Sequence, residues 1–228
     1  MQNFAINTQR GRVVFTGRTA QPRILLTHGF ARSVRPLQGW IERLPELAIM
    51  RLPGHDGAPE LNEVSVEAWI EAWQEALERL PGPHYLIGES LGAMVAMCLP
   101  AKAVVAVDPL LSVDQIWPQR RFMESAGDWL PPAYVALFDH PFDWVLERIT
   151  APTLVLAGIE PLLPERPTRK APSLLTDADF DRYAGHPQVE ALRIVGGHTL
   201  LDENPNIVQV LAERLFKRHG WQPQLQAE

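Results

Sequence analysis

Tyr85-Leu86-Ile87-Gly88-Glu89-Ser90-Leu91-Gly92-Ala93-Met94-Val95-Ala96-Met97-Cys98-Leu99 is the stretch whose reading decides the fold. A short apolar run ends in the turn Gly88-Glu89-Ser90-Leu91-Gly92, and a second apolar run of helical character follows. This is the strand–turn–helix setting in which a G-x-S-x-G pattern presents a nucleophilic serine. Such a turn holds the serine in a strained backbone conformation, and side chains two residues to either side would collide with neighbouring elements, hence the glycines. The strain lifts the Ser90 hydroxyl above a sheet at the start of a helix, with the Leu91 amide aimed where an oxyanion forms. The plain alternative is an ordinary tight turn, so the rest of the chain has to supply partners.

A serine hydroxyl is a poor nucleophile until a base takes its proton. Of the seven histidines, His198 lies in Gly196-Gly197-His198-Thr199, just past the last apolar run and just before the last helical one. That places it on the carboxyl-end rim with Ser90, where open parallel sheets collect their ligands. His140, His186 and His219 have no comparable position, and His84 is expected to open the strand of Ser90 and point away. His28-Gly29-Phe30 follows the run Ile24–Thr27, again at a strand's carboxyl end. There the Phe30 amide is the expected second oxyanion donor, with Gly29 permitting close approach to substrate and His28 organising the loop.

Outward from these motifs the chain alternates. Arg23–Thr27, Leu47–Arg51, Tyr85–Ile87, Ala103–Val107, Thr153–Ala157 and Ala191–Val195 read as strands buried on both faces. Val66, Trp69, Ile70, Trp73, Leu77 and Leu80 step by three and four after Ser65, a candidate N-cap. Asn204-Pro205 reads as an N-cap and first turn, with Ile207, Val208, Leu211 and Leu215 on one face and Gly220 closing the helix. The expected class is therefore α/β, a mostly parallel central sheet flanked by helices, with an antiparallel edge near Phe4–Asn7 and Arg12–Thr16. Residues 110–139 break the rhythm and read as a small helical lid inserted between core segments 1–109 and 140–228, followed by a helix near Phe142–Ile149.

Composition narrows the function. With 228 residues, 46% hydrophobic and 21% charged, the chain fits one ordinary globular domain. A formal net charge of −6 argues against nucleic acid as a partner, since phosphate binding wants a basic face. The single cysteine, Cys98, permits no internal disulfide and reads as a small buried hydrophobe. The first residues lack the build of a signal peptide, and no apolar run approaches the length of a membrane span, so a cytoplasmic enzyme without membrane or metal, monomeric or homodimeric, is expected.

His28-Gly29-Phe30, Leu52-Pro53-Gly54-His55-Asp56-Gly57, Gly88-Glu89-Ser90-Leu91-Gly92 and Gly197-His198 together resemble, in order and spacing, the α/β-hydrolase superfamily, and look like its small, lid-bearing, esterase-like branch. Asp202-Glu203-Asn204-Pro205 resembles that branch too, and the likeness runs from about Arg23 to Phe216. It implies an eight-stranded sheet, a lid, and acyl-transfer hydrolysis of small to medium carboxylic esters or thioesters without cofactor. The family order is serine, acid, histidine. Gly158-Ile159-Glu160-Pro161 fills the acid's usual place after the lid, with glutamate for aspartate and an insertion near Pro167–Gly185 to account for the long gap to His198. Asp108, after the strand next to that of Ser90, is the rival, and Glu160 is the favoured acid. Substrate contacts are expected from His28, Gly29, Glu89 and the lid aromatics Trp117, Phe122 and Trp129. The same architecture also serves C–C bond hydrolases, lyases and slow-turnover ligand receptors, which remain the alternatives.

Overall fold

The computed structural model describes residues 1–113, 116, 132–159, 161 and 172–223. The chain opens with β1 (Gln2–Thr8) and β2 (Gly11–Gly17), an antiparallel pair at the expected edge. Next come β3 (Ile24–Thr27), α1 (Gln38–Arg43), β4 (Leu47–Met50), α2 (Val66–Glu78), β5 (Tyr85–Glu89), α3 (Leu91–Met97) and β6 (Ala103–Val107). The segment after β6 carries α4 (Pro132–Val135) and a 3-10 turn at Ala136–Phe138. It leads to β7 (Thr153–Gly158), α5 (Asp177–Ala184), β8 (Val189–Ile194), α6 (Leu200–Glu203) and α7 (Pro205–Arg218). The strands form one sheet in the order β1-β2-β4-β3-β5-β6-β7-β8. β2 meets β4 antiparallel, and every pairing from β4 to β8 is parallel.

The strands at the centre are apolar throughout because both of their faces are covered. β3, β4, β5 and β6 are buried at every position. Successive side chains point to opposite faces. Leu25, Leu86, Val104 and Ala106 join the core under α2 and α3, while Ile24, Leu26, Tyr85, Ile87 and Val105 join the one under α1 and α7. The helices read from the sequence are built as their ends dictate. The Ser65 hydroxyl accepts from the Ala68 amide at 3.1 Å, a cap worth about 1 kcal/mol, and Val66, Trp69, Ile70, Trp73 and Leu77 are buried.

Three local expectations are corrected. Asn204 does not cap α7 with its side chain; its amide nitrogen donates instead to the Val195 carbonyl, tying the start of that helix to the end of β8. The helix expected near Phe142–Ile149 is a run of 3-10 turns, Asp143–Arg148. The strand of Ser90 extends two residues further than its apolar run, to Glu89, and so reaches the nucleophile itself.

The topology places the site. The chain steps from β3 outward to β4, then crosses back to β5 on the other side of β3. Adjacent strand tips whose connections leave in opposite directions open a crevice, the usual ligand site of such sheets. His28-Gly29-Phe30 follows β3 and Ser90 follows β5, so both motifs flank that crevice.

Candidate active site

Ser90 sits between β5 and α3 with φ 54° and ψ −123°, a left-handed conformation a serine adopts only under constraint. Its amide donates to the Val107 carbonyl at 2.8 Å, and its own carbonyl accepts from Ala93 and Met94. The Leu91 amide precedes these first helical bonds, so the turn of α3 offers it to a ligand. Space explains the flanking glycines. A Cβ on Gly88 would stand 2.5 Å from the Ala93 Cα, and one on Gly92 would run into the His28 carbonyl oxygen and lie 2.8 Å from that of Thr27. A Cβ on Gly29 would meet that of Ser90 at 3.2 Å, so the loop after β3 lies directly against the nucleophile.

His198 follows β8, and its Nδ1 lies 2.5 Å from Oδ2 of Asp108. Asp108 is the residue after β6, with φ 46° and no exposed surface. Its carboxylate also accepts from the Ser173 hydroxyl at 2.5 Å and the Leu174 amide at 2.8 Å. A buried carboxylate with three donors is fixed in place and leaves His198 in one orientation. The geometry thus pairs the histidine with Asp108, the residue ranked second from the sequence. Glu160, ranked first, lies outside the described residues. Burial alone would lower the His198 pKa. The hydrogen bond and charge of Asp108, with the charge of Glu89, outweigh burial and a smaller opposing effect of Arg32, and the net shift is upward.

His28, expected both to organise its loop and to touch substrate, and Glu89, expected to touch substrate, are both held in buried polar contacts. His28 is fully buried: Nε2 accepts from the Leu52 amide at 3.0 Å and Nδ1 donates to the Gly29 carbonyl at 2.9 Å. It clamps the loops after β3 and β4 together, and burial drives its pKa down to about 4, against a smaller opposing effect of the Gly29 carbonyl. Glu89 is equally buried, and both of its oxygens accept from one Nη of Arg32, at 2.7 and 2.6 Å. The other Nη of Arg32 reaches Asp202 at 2.6 Å. No sequence signal marked Arg32, since a lone arginine in a loop reads as solvated.

Phe30 is half-buried, and its ring packs edge-on against His55 at 5.1 Å and Phe138 at 5.0 Å, with Tyr134 at 6.4 Å. The segment Pro132–Phe138 therefore rests on the loop that carries the candidate oxyanion amide. Tyr134 adds a hydrogen bond to Glu60 at 3.3 Å and fills the space a side chain on Gly54 would need. His55 is buried with Nδ1 donating to the Pro53 carbonyl at 2.8 Å. Trp117, Phe122 and Trp129 lie outside the described residues. Cys98 is half-buried and burial pushes its thiol up to about 12, so it is no nucleophile.

Comparison with known proteins agrees with this fold. The sequence model of the alpha/beta hydrolase family matches residues 24–223. A pimeloyl-[acyl-carrier protein] methyl ester esterase from Methylococcus capsulatus is 27% identical over 180 residues, covering 72% of this chain and 68% of the relative. Among solved structures, a thermophilic esterase from Thermogutta terrifontis superposes with a TM-score of 0.65 at 19% identity, over 96% of this chain and 100% of its own. A thioesterase domain from the curacin biosynthetic pathway superposes with a TM-score of 0.66 at 16% identity, over 95% and 99%.

Proposed function

The chain belongs to the alpha/beta hydrolase family, and from that premise we propose that it is a serine esterase acting on carboxylic esters or thioesters of small to medium acyl groups. The observation that carries the reading is the strained Ser90 between β5 and α3, hydrogen-bonded through its backbone to the strand whose next residue, Asp108, holds His198. Ser90 attacks the acyl carbonyl while His198 takes its proton through Nε2, and Asp108 fixes the tautomer and stabilises the imidazolium. The amides of Leu91 and Phe30 receive the charge that develops on the carbonyl oxygen. His198 then protonates the leaving alcohol or thiol, and a water activated by the same imidazole releases the acyl group from Ser90. The relative from Methylococcus capsulatus, an ester hydrolase by its description, favours an ester over other bonds.

The test is covalent labelling combined with turnover. A fluorophosphonate should attach at Ser90, and Ser90→Ala should abolish p-nitrophenyl ester hydrolysis while leaving the protein folded. An adduct on another serine, or full activity in the variant, would overturn the assignment.

A further inference from the structure

We infer that Arg32 is a positioning residue for the proposed reaction, a single guanidinium that ties the loop after β3, the residue preceding the nucleophile and the helix following the histidine into one unit. The inference rests on the serine-esterase reading above and deepens it.

Arg32 stands two residues past Phe30, directly after Ala31, which holds a left-handed φ of 56°. One Nη is held by both oxygens of Glu89, and the other by Asp202. Glu89 is the neighbour of Ser90. Asp202 lies in α6, and its amide donates to the carbonyl of Thr199, the residue after His198, at 2.9 Å. Its two partners are 57 and 170 positions from Arg32 along the chain, so the link is wholly tertiary. Side-chain exposure falls from 43% at Asp202 through 12% at Arg32 to 2% at Glu89, so the clasp runs from the rim to the buried floor beside the nucleophile.

Stability alone is a poor reason for such a pair. A buried ion pair recovers little more than its desolvation cost, and an apolar pair of the same volume packs there at least as well. What a planar guanidinium adds is direction, because it grips two carboxylates at a fixed angle, whereas an ammonium is a point charge on a flexible stem. Here the fixed angle relates the segments carrying the Phe30 amide, Ser90 and His198. Errors of about 1 Å between such groups cost on the order of a hundredfold in rate.

The experiment uses the full chain and p-nitrophenyl butyrate, with Asp202→Asn, Arg32→Lys, Asp202→Glu, the Asp202→Asn/Arg32→Lys double variant, and Ser90→Ala as a reference. Asp202→Asn cuts only the half-exposed arm, so its fold is secure. The expected result is a kcat about tenfold lower for Asp202→Asn and for Arg32→Lys, with KM within about twofold and partial recovery in Asp202→Glu. Because both changes break the same link, the double variant should be little worse than Arg32→Lys alone. Single variants that keep kcat within about twofold, or a double variant whose loss is the product of the two singles, would overturn the clasp. If Ser90→Ala is inert while those results hold, the clasp alone fails. If Ser90→Ala remains active, the esterase reading fails with it.

Discussion

His198 Nδ1 and Asp108 Oδ2 stand 2.5 Å apart, joining the end of β8 to the end of β6 across the tip of β7. The bond decides which carboxylate to alter first. Asp108→Asn should lower kcat by about 10³ to 10⁴, because an amide neither selects the productive tautomer nor stabilises the imidazolium. Glu160→Gln should change it by no more than a few fold. Steady-state kinetics on the two variants measures the difference, and a larger loss at Glu160 would return the acid to the loop after β7.

The same contact sets the pH profile. Asp108 and Glu89 hold the His198 proton more tightly than in a free imidazole, despite burial. The base form therefore exists only at higher pH, and the acid limb of kcat/KM should lie above about 6.5. Asp108→Asn should move that limb downward. The contribution of His198 to stability runs the opposite way to its activity: it is complete below the unfolded value and is lost as pH rises through the raised folded value. A limb at or below pH 6 would contradict the pairing.

His28 gives a stability effect of opposite sign. Its folded pKa of about 4 lies below the unfolded 6.5, so the neutral form is the one the fold accepts. That stabilisation is present above 6.5 and is lost as pH falls through 4, about 3 kcal/mol at most. His55 and His84 are shifted down by burial as well and act in the same direction. Urea midpoints at pH 7.5 and pH 4.5 should therefore differ clearly, and His28→Gln should reduce the difference. Equal midpoints in the wild-type protein would show that protonated His28 is tolerated.

Acyl-chain preference tests the size of the proposed pocket. Phe30, Tyr134 and Phe138 pack together at the loop after β3, which lies directly against Ser90. Each methylene that fits should add up to about 0.8 kcal/mol of burial, until the pocket fills. In a p-nitrophenyl ester series kcat/KM should climb from acetate and then fall before long chains. A rise that continues into long-chain triglycerides would mean an extended lipid groove in place of a closed pocket.

The parts that were legible in the sequence are those in which local chemistry repeats a global role. Gly88, Ser90 and Gly92 are written side by side because the constraint acts within one turn, and His198 shows itself by lying between the last strand and the last helix. The pairing of Asp108 with His198 was not legible, because it depends on which strand tip faces the histidine, a property of sheet order that no short segment contains. Asp108-Pro109 reads equally well as a turn, and its left-handed φ and three donors emerge only from packing. α1 went unread because just two of its six residues, Trp40 and Ile41, are buried, too few to set a period. Arg32 and Glu89 were opaque for a related reason, since a charge buried by a distant partner is indistinguishable in sequence from a charge in water.

The Asp108–His198 bond spans 90 positions, the Arg32–Asp202 pair spans 170, and both end near β8, the outermost strand of the parallel set. Non-local contacts of this kind form late, after the entropy of closing long loops has been overcome. Compact intermediates lacking only the last strand would already pack Trp69 and Trp73 of α2 against the sheet and so show much of the tryptophan signal change. Ester turnover during refolding would then lag tryptophan fluorescence, and the delay would time the docking of the final strand.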